Sequence, residues 1–370
     1  MNIADLRSLY KGHPGRKALV SEIDGKTSGK LFLRGLRASS APLLISTLIS
    51  DDGIGRPFLL ILNDREEAAY TYHDLTQILG EGAVMFFPSS YRRAVRFGQK
   101  DSASEILRTE VLSTLDTLRN SELSVAMRPV VVTSPEALAE MVVSGDRLSQ
   151  NSVCIAKGMQ IDRDSLQDRL FDMGFEHVDY VYEPGQYALR GSILDVFSYS
   201  SETPYRIDFF GDDVDSIRQF QVDTQLSVEE KDSVVIVPEL GVSAGSDGVT
   251  LLDFLPSDTV VVAKDTELVA GLIDNIMDSP DSMAARLRAL DAESGGDSAG
   301  SPEIPMLASG EQFRDGISKL LVIETGSQLS GKSGTVIEFN TTPQPLFHKN
   351  FDILAEDIHN KQEAGYTIYI

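Results

Sequence analysis

Between residues 30 and 147, short apolar runs without polar alternation keep trading places with helix-patterned segments. A strand that is apolar at consecutive positions must be covered on both faces, which is the condition inside a parallel sheet flanked by helices. KLFLRG (30–35) reads as a strand, and SSAPLLISTLIS from Ser39 reads as a helix with a Ser cap and an early Pro. RPFLLILND is a buried strand, REEAAYTYHDLTQIL (65–79) a helix and AVMFFPS a further strand. SASEILRTEVLSTLDTLRN is a long amphipathic helix, and PVVVTSPEALAEMVV supplies strand, turn and helix. This order predicts an α/β layer architecture with a largely parallel sheet.

The character then changes. VCIAKG reads as a strand and IDRDSLQDRLFDMGF as a helix, with acidic residues in its first turn and Gly174 at its end. HVDYVYEPGQYALRG, SILDVFSYSS, PYRIDFFGDDVDSIRQFQ and VVIVPE are alternating strands broken by PG, RG and GDD turns. Together they predict an inserted α+β domain with a mainly antiparallel sheet and one helix. From about residue 241 the α/β style returns with TLLDFLPSDTVVVAKDTELVAGLIDNI, a helix, strand and helix. SGGDSAGSPEIP (294–305) is a flexible loop, and KLLVIET and SGTVIEFN are strands. PLFHKNFDILAEDIHNKQEAG reads as a helix and YTIYI as a final strand, so the chain looks like a piece of a longer protein.

Charge narrows the partner class. The chain carries 33 Lys+Arg against 56 Asp+Glu, a formal charge of −23. Residues 151–240 alone hold 18 Asp+Glu and 7 Lys+Arg. Such a surface repels a phosphate backbone and favours a protein partner with a basic face. YRRAVRFGQK is the local exception, with Arg92, Arg93, Arg96 and Lys100. Its plainer reading is a solvated loop leading into a helix, with nucleic-acid contact as the less favoured alternative.

The single cysteine, Cys154, excludes an intrachain disulfide and lies in an apolar run that predicts a buried thiol. The five histidines are scattered without metal-ligand spacing. The N-terminus is charged, and no apolar run approaches the roughly 18–20 residues of a membrane helix. These features point to the cytoplasm.

GSQLSGKS, Gly326 to Ser333, fits the phosphate-loop pattern G-x-x-x-x-G-K-[ST]. The chemistry needs a helix to begin at the Lys-Ser end, so that free amides and the helix dipole face the phosphates. Gly334 and the β-branched run Thr335-Val336-Ile337 follow instead, which predicts a turn between two strands. Gly25-Lys26-Thr27 is weaker, because Val20 stands where a glycine is needed. The first strand–turn–helix, LFLRGLRASSAPLLISTL, has the right order but lacks the G-K-[ST] end. In VVVAKDTEL, Lys264 precedes a lone Asp265 where a magnesium site needs an acidic pair. No cofactor and no catalytic residue are expected, and the alternatives are an ATP-binding helicase-like half-domain or direct DNA binding.

One long pattern is more specific. Pro184-Gly185, Tyr187, Arg190-Gly191, Leu194-Asp195, Phe197, Pro204, Arg206, Phe209-Phe210, Asp212, Ile217-Arg218, Phe220 and Thr224-Gln225 recur in order. This segment resembles the one shared by the excision-repair protein UvrB and the bacterial transcription-repair coupling factors, the Mfd family. Gln221 departs from the family's usual Asp. UvrB keeps an intact phosphate loop near its N-terminus and a DNA-clamping hairpin. Gly35-Leu36-Arg37-Ala38-Ser39-Ser40 is degenerate, and no aromatic-rich hairpin is evident. The chain is therefore most similar to the N-terminal UvrB-like module of the coupling factors.

The resemblance implies a degenerate P-loop, helicase-like body in two parts: domain 1a (1–147) and domain 1b (239–345). Domain 2 (148–238) is inserted between them, and 346–370 leads onward. It implies a non-catalytic module that recruits UvrA, with Arg190, Arg206 and Phe210 at the positions of the family's UvrA contacts. It also implies masking by a C-terminal domain, and an ATP-dependent translocase and polymerase- and DNA-binding regions beyond residue 370. The residues agree in part. Arg206 and Phe210 are two even positions of one strand and share a face, whereas Ile207 and Phe209 point to the core. The local reading leaves two alternatives: Arg190 as the brace of a turn, and Phe210 as core.

Overall fold

A computed structural model of the chain describes residues 3–37, 39–49, 53–80, 82–90, 102–120, 128–240, 248–278, 306–326, 334–342 and 350–368. Its strands are β1 (Gly29–Arg34), β2 (Phe58–Ile61), β3 (Met85–Phe87), β4 (Val130–Thr133), β5 (Val142–Val143), β6 (Val153–Ala156), β7 (Glu176–His177), β8 (Gln186–Arg190) and β9 (Ile193–Val196). They continue as β10 (Tyr205–Phe210), β11 (Asp213–Phe220), β12 (Ser227–Lys231), β13 (Ser233–Ile236), β14 (Gly248–Val249), β15 (Val260–Ala263), β16 (Leu321–Glu324) and β17 (Thr335–Glu338).

The larger sheet has the order β17-β1-β16-β15-β2-β4-β3, and its neighbouring strands are parallel throughout. Strands β2, β4, β15 and β16 are buried at every position, as their unbroken apolar runs require. Alternate side chains feed two cores. Leu59, Ile61, Val131, Val261 and Val322 enter one, with Val111, Leu115, Ile273 and Phe313 from the helices on that side. Phe58, Leu60, Val130, Val132, Val262 and Ile323 enter the other, with Leu19, Leu44, Leu48 and Leu75. The helices Arg65–Leu79 and Ser102–Asn120 have the bounds that their spacing predicts.

Residues 176–231 form a separate sheet of order β12-β11-β10-β9-β8-β7, antiparallel except where β7 meets β8. The helix Arg163–Asp172 packs Leu166 and Leu170 against one face of it, among Tyr187, Leu194, Ile207 and Ile217. Asp162 caps that helix by accepting from the Ser165 amide at 3.2 Å, and Gly174 ends it with φ +84°.

Several expectations change. Cys154 is exposed, because β6, which among the described residues pairs with β13 alone, turns Ile155 and not the thiol to the core. Residues 366–368 of the expected final strand are not in a strand. TLLDFL forms a 3₁₀ turn at Leu251–Phe254 rather than an α-helix. Two helices, Ile3–Gly12 and Pro14–Ile23, stand where no element was expected. Their fully buried residues are Leu19 and Ile23 alone, too few for an apolar period to show. The loop 294–305 lies outside the described residues. Among those described, no helix is long and apolar enough to cross a membrane.

Candidate functional site

The antiparallel sheet turns one face to its core, under the helix Arg163–Asp172, and the other face carries the candidate residues. Along β10, Tyr205, Ile207 and Phe209 are buried, and Arg206, Asp208 and Phe210 take the other face. Register extends that face across the sheet. Arg206 stands opposite Asp195 on β9 and Arg218 on β11, and Asp195 stands opposite Ala188 on β8. Arg190, two residues beyond Ala188, shares the face. A bulge at the Asp208/Phe209 step opposes Phe209 to Val214 and passes over Asp215. The extra residue is on β11, so the alternation along β10 survives.

Asp195 is the centre of this face. Its side chain is 1% exposed, yet it faces two guanidinium groups. Arg206 donates from Nε to Oδ1 at 2.7 Å and from Nη2 to Oδ2 at 2.9 Å, a bidentate fork. Arg190 donates to the same Oδ2. The hydrogen bonds to Asp195 hold the Arg206 guanidinium above its ordinary pKa. Arg206 also donates to Gln225 Oε1 at 3.1 Å and lies over the Phe220 ring, 4.4 Å from its centroid. Arg190 reaches the Asp179 carbonyl at 3.1 Å and lies 4.9 Å from the centre of the Tyr180 ring.

The structure thus brings Arg190 and Arg206 together through one carboxylate. It places Phe210 on the same face, four residues along β10 from Arg206. Phe210 is 81% exposed and is not core. Arg190 pairs inside its own domain. Asp195 and Gln225 were part of the sequence pattern but had no assigned role. An acid inside the otherwise apolar strand run ILDV, with an arginine in the strand on either side of it, is the signal that marks Asp195. Nothing local marks Gln225, whose φ of +58° only coordinates reveal. A second pair, Arg218 with Asp208, continues the face toward β12.

The other candidate lies at the carboxyl ends of β1, β15 and β16. An open cleft of about 920 Å³ is lined there by Arg34, Gly35, Arg37, Glu67, Lys264 and Thr325 among others. Lys264 Nζ is 2.5 Å from Glu67 Oε1. Asp265 accepts from the Glu267 and Leu268 amides at 2.9 and 3.2 Å, which caps the helix Thr266–Asp278. Ser40 Oγ accepts from the Arg37 amide at 2.7 Å and donates to the Arg37 carbonyl at 2.6 Å, closing the loop on itself. The segment after β17 then lies along it. Phe339 N donates to the Arg34 carbonyl at 2.7 Å, and Thr341 Oγ1 donates to the Gly35 carbonyl at 2.5 Å.

GSQLSGKS is followed by a strand, β17, as its flank predicts. It is not a simple turn between neighbours, because β16 and β17 both run parallel to β1 on its two sides. Residues 327–333 themselves, and the basic segment with Arg92, Arg93, Arg96 and Lys100, lie outside the described residues. Among the described residues, no three His, Cys, Asp or Glu side chains are grouped to hold a metal ion.

Residues 153–240 match the UvrB interaction domain. The transcription-repair-coupling factor of Bacillus subtilis is 32% identical over 235 residues, which cover 63% of this chain and 18% of that protein. The Escherichia coli factor is 35% identical over 146 residues, 40% of this chain and 13% of that protein. UvrABC system protein B of Streptococcus uberis is 27% identical over 225 residues, 60% of this chain and 34% of that protein. The chain spans under a fifth of the coupling factors and about a third of the UvrB proteins that it matches. The resemblance read from the sequence therefore holds: the chain carries a UvrB interaction domain and is a relative of both groups.

Proposed function

We propose that this chain, a relative of the transcription-repair-coupling factors, is a non-catalytic module that recruits UvrA and so links transcription to nucleotide excision repair. One observation carries the reading. Inside the UvrB interaction domain, Arg190 and Arg206 converge on Asp195, and Phe210 stands exposed on the same face. Arginine and aromatic side chains are the usual anchors of protein interfaces. An isolated phenylalanine in water gains about 1.5–3 kcal/mol when a partner buries it.

The absence of catalysis rests on the cleft at the parallel sheet. Its lysine is engaged by Glu67, its other carboxylate, Glu338, pairs with Arg34, Asp265 beside the lysine caps a helix, and its loop bonds to the segment after β17. Translocation on DNA and engagement of RNA polymerase belong in this reading to parts of the protein outside the chain. Its setting is the cytoplasm.

Titration calorimetry of the chain against UvrA tests the reading. Wild type binds, and Phe210→Ala and Arg206→Ala each cost about 2 kcal/mol or more, with circular dichroism unchanged. A folded wild type that does not bind UvrA would overturn it.

A further inference from the structure

Two residues that are not themselves partner contacts in the reading above, Asp195 and Gln225, both bond to Arg206. Asp195 is buried, so its charge must be met inside the domain. It is met twice, by the fork of Arg206 and by Arg190. A bidentate fork fixes the plane of the guanidinium as well as its position.

Gln225 closes another side. Its backbone is left-handed, a conformation rare outside Gly, Asn and Asp. Hydrogen bonds hold it there: its amide donates to the Gln221 carbonyl at 2.8 Å and its Nε2 donates to the Val222 carbonyl at 2.8 Å. So turned, its Oε1 accepts from Arg206 Nη2 at 3.1 Å. The Phe220 ring, fully buried, forms the floor beneath the guanidinium. Arg206 has therefore given up its rotamer freedom before any partner arrives. Freezing such a side chain at an interface costs about 0.5–1.5 kcal/mol when it happens on binding.

The charges do not balance. Two guanidinium groups share one carboxylate, and the neighbouring Arg218–Asp208 pair is neutral. One unit of positive charge is left over, on a chain whose formal charge is −23.

We propose that Asp195 and Gln225 are the positioning residues of this surface: they hold Arg190 and Arg206 as one pre-formed cation, which takes a single carboxylate from the partner beside the seat for Phe210. This rests on UvrA being the partner, so the test reads the free chain as well as the complex. Affinity for UvrA is measured by calorimetry for wild type, Asp195→Asn, Gln225→Gly, Arg206→Ala and Asp195→Asn/Arg206→Ala. In the free chain, NMR follows exchange of the arginine Nε–H protons with water. Gln225→Gly keeps the left-handed backbone and its carbonyl while removing the amide.

Each arginine set free should weaken binding about two- to tenfold. Asp195→Asn frees both and is expected to lose about tenfold or more, with the binding stoichiometry unchanged. Gln225→Gly should lose the lower end of that range. Once Arg206 is already alanine, the Asp195→Asn change should cost less than it does alone. Slow exchange of the Arg206 Nε–H should be present in wild type and lost in Asp195→Asn. Wild-type affinity in both Asp195→Asn and Gln225→Gly, or fast exchange in the wild type, would overturn the proposal. If Asp195→Asn does not fold, Gln225→Gly decides. If wild type ignores UvrA yet shows the protected Nε–H, the pre-formed cation stands and UvrA is the wrong partner.

Discussion

A β-carbon built on Gly35 would stand 1.8 Å from the carbonyl oxygen of Phe339. The two residues are more than 300 positions apart, yet the chain after β17 lies directly on the loop after β1. Gly35 also has φ +83°, so a side chain there meets both a clash and an unfavourable backbone. Gly35→Ala is expected to destabilise the chain by about 2–5 kcal/mol, read by chemical denaturation. Unchanged stability would mean that the segment after β17 does not rest on the loop in solution.

Glu140 is 2% exposed and serves as the acceptor for a buried cluster. Ser89 Oγ donates to it at 2.5 Å, the Ser90 amide at 3.2 and 3.1 Å, and Arg108 Nη1 lies at 3.3 Å. Removing the carboxylate leaves the Arg108 charge buried and short of its counter-ion. Glu140→Ala should therefore cost about 3–5 kcal/mol. The double change Glu140→Leu/Arg108→Met, which removes both charges, should cost less than Glu140→Ala alone. A thermal-melt cycle in which the double change costs the sum of Glu140→Leu and Arg108→Met made singly would show that the pair is not coupled.

The same argument gives the opposite pattern at Asp195. Either arginine can be lost while the other still meets the carboxylate. Arg190→Ala and Arg206→Ala should each lower stability modestly, whereas the double variant strands a buried charge and should lose about 3–5 kcal/mol more than the sum. Adding Asp195→Asn to the double variant should recover most of that. Additive losses would show that Asp195 gains another partner or is hydrated when both arginines are gone.

The fold was more legible in the sequence than the surface. Runs such as FLLI and VVVT are buried at every position, and consecutive burial leaves a composition that a reader can see. The placement of Arg206 and Phe210 on one face also followed from counting by two along β10. What stayed hidden depends on contacts between distant segments. The meeting of Gly35 with Phe339 needs β17 to join the sheet beside β1. The left-handed turn at Gln225 has no glycine to announce it. Cys154 misled because an apolar run implies burial on both faces only inside a wide sheet, and β6 belongs to a two-stranded ribbon.

The cleft at the carboxyl ends of β1, β15 and β16 gives the last prediction. A phosphate site there needs a lysine free to reach the ligand, an acid free to hold magnesium, and open backbone amides around the loop. Lys264 is paired with Glu67, and Asp265 accepts from two amides of its own helix. The Arg37 amide is taken by Ser40. A nucleotide present at a hundred times its Kd would stabilise the fold by about 2.7 kcal/mol. Magnesium with ATP at millimolar concentration is therefore expected to leave the melting temperature unchanged, in wild type and in Lys264→Ala alike. A dose-dependent rise that Lys264→Ala abolishes would show that the Glu67 pair opens to admit phosphate, and would restore the nucleotide-binding alternative for this module.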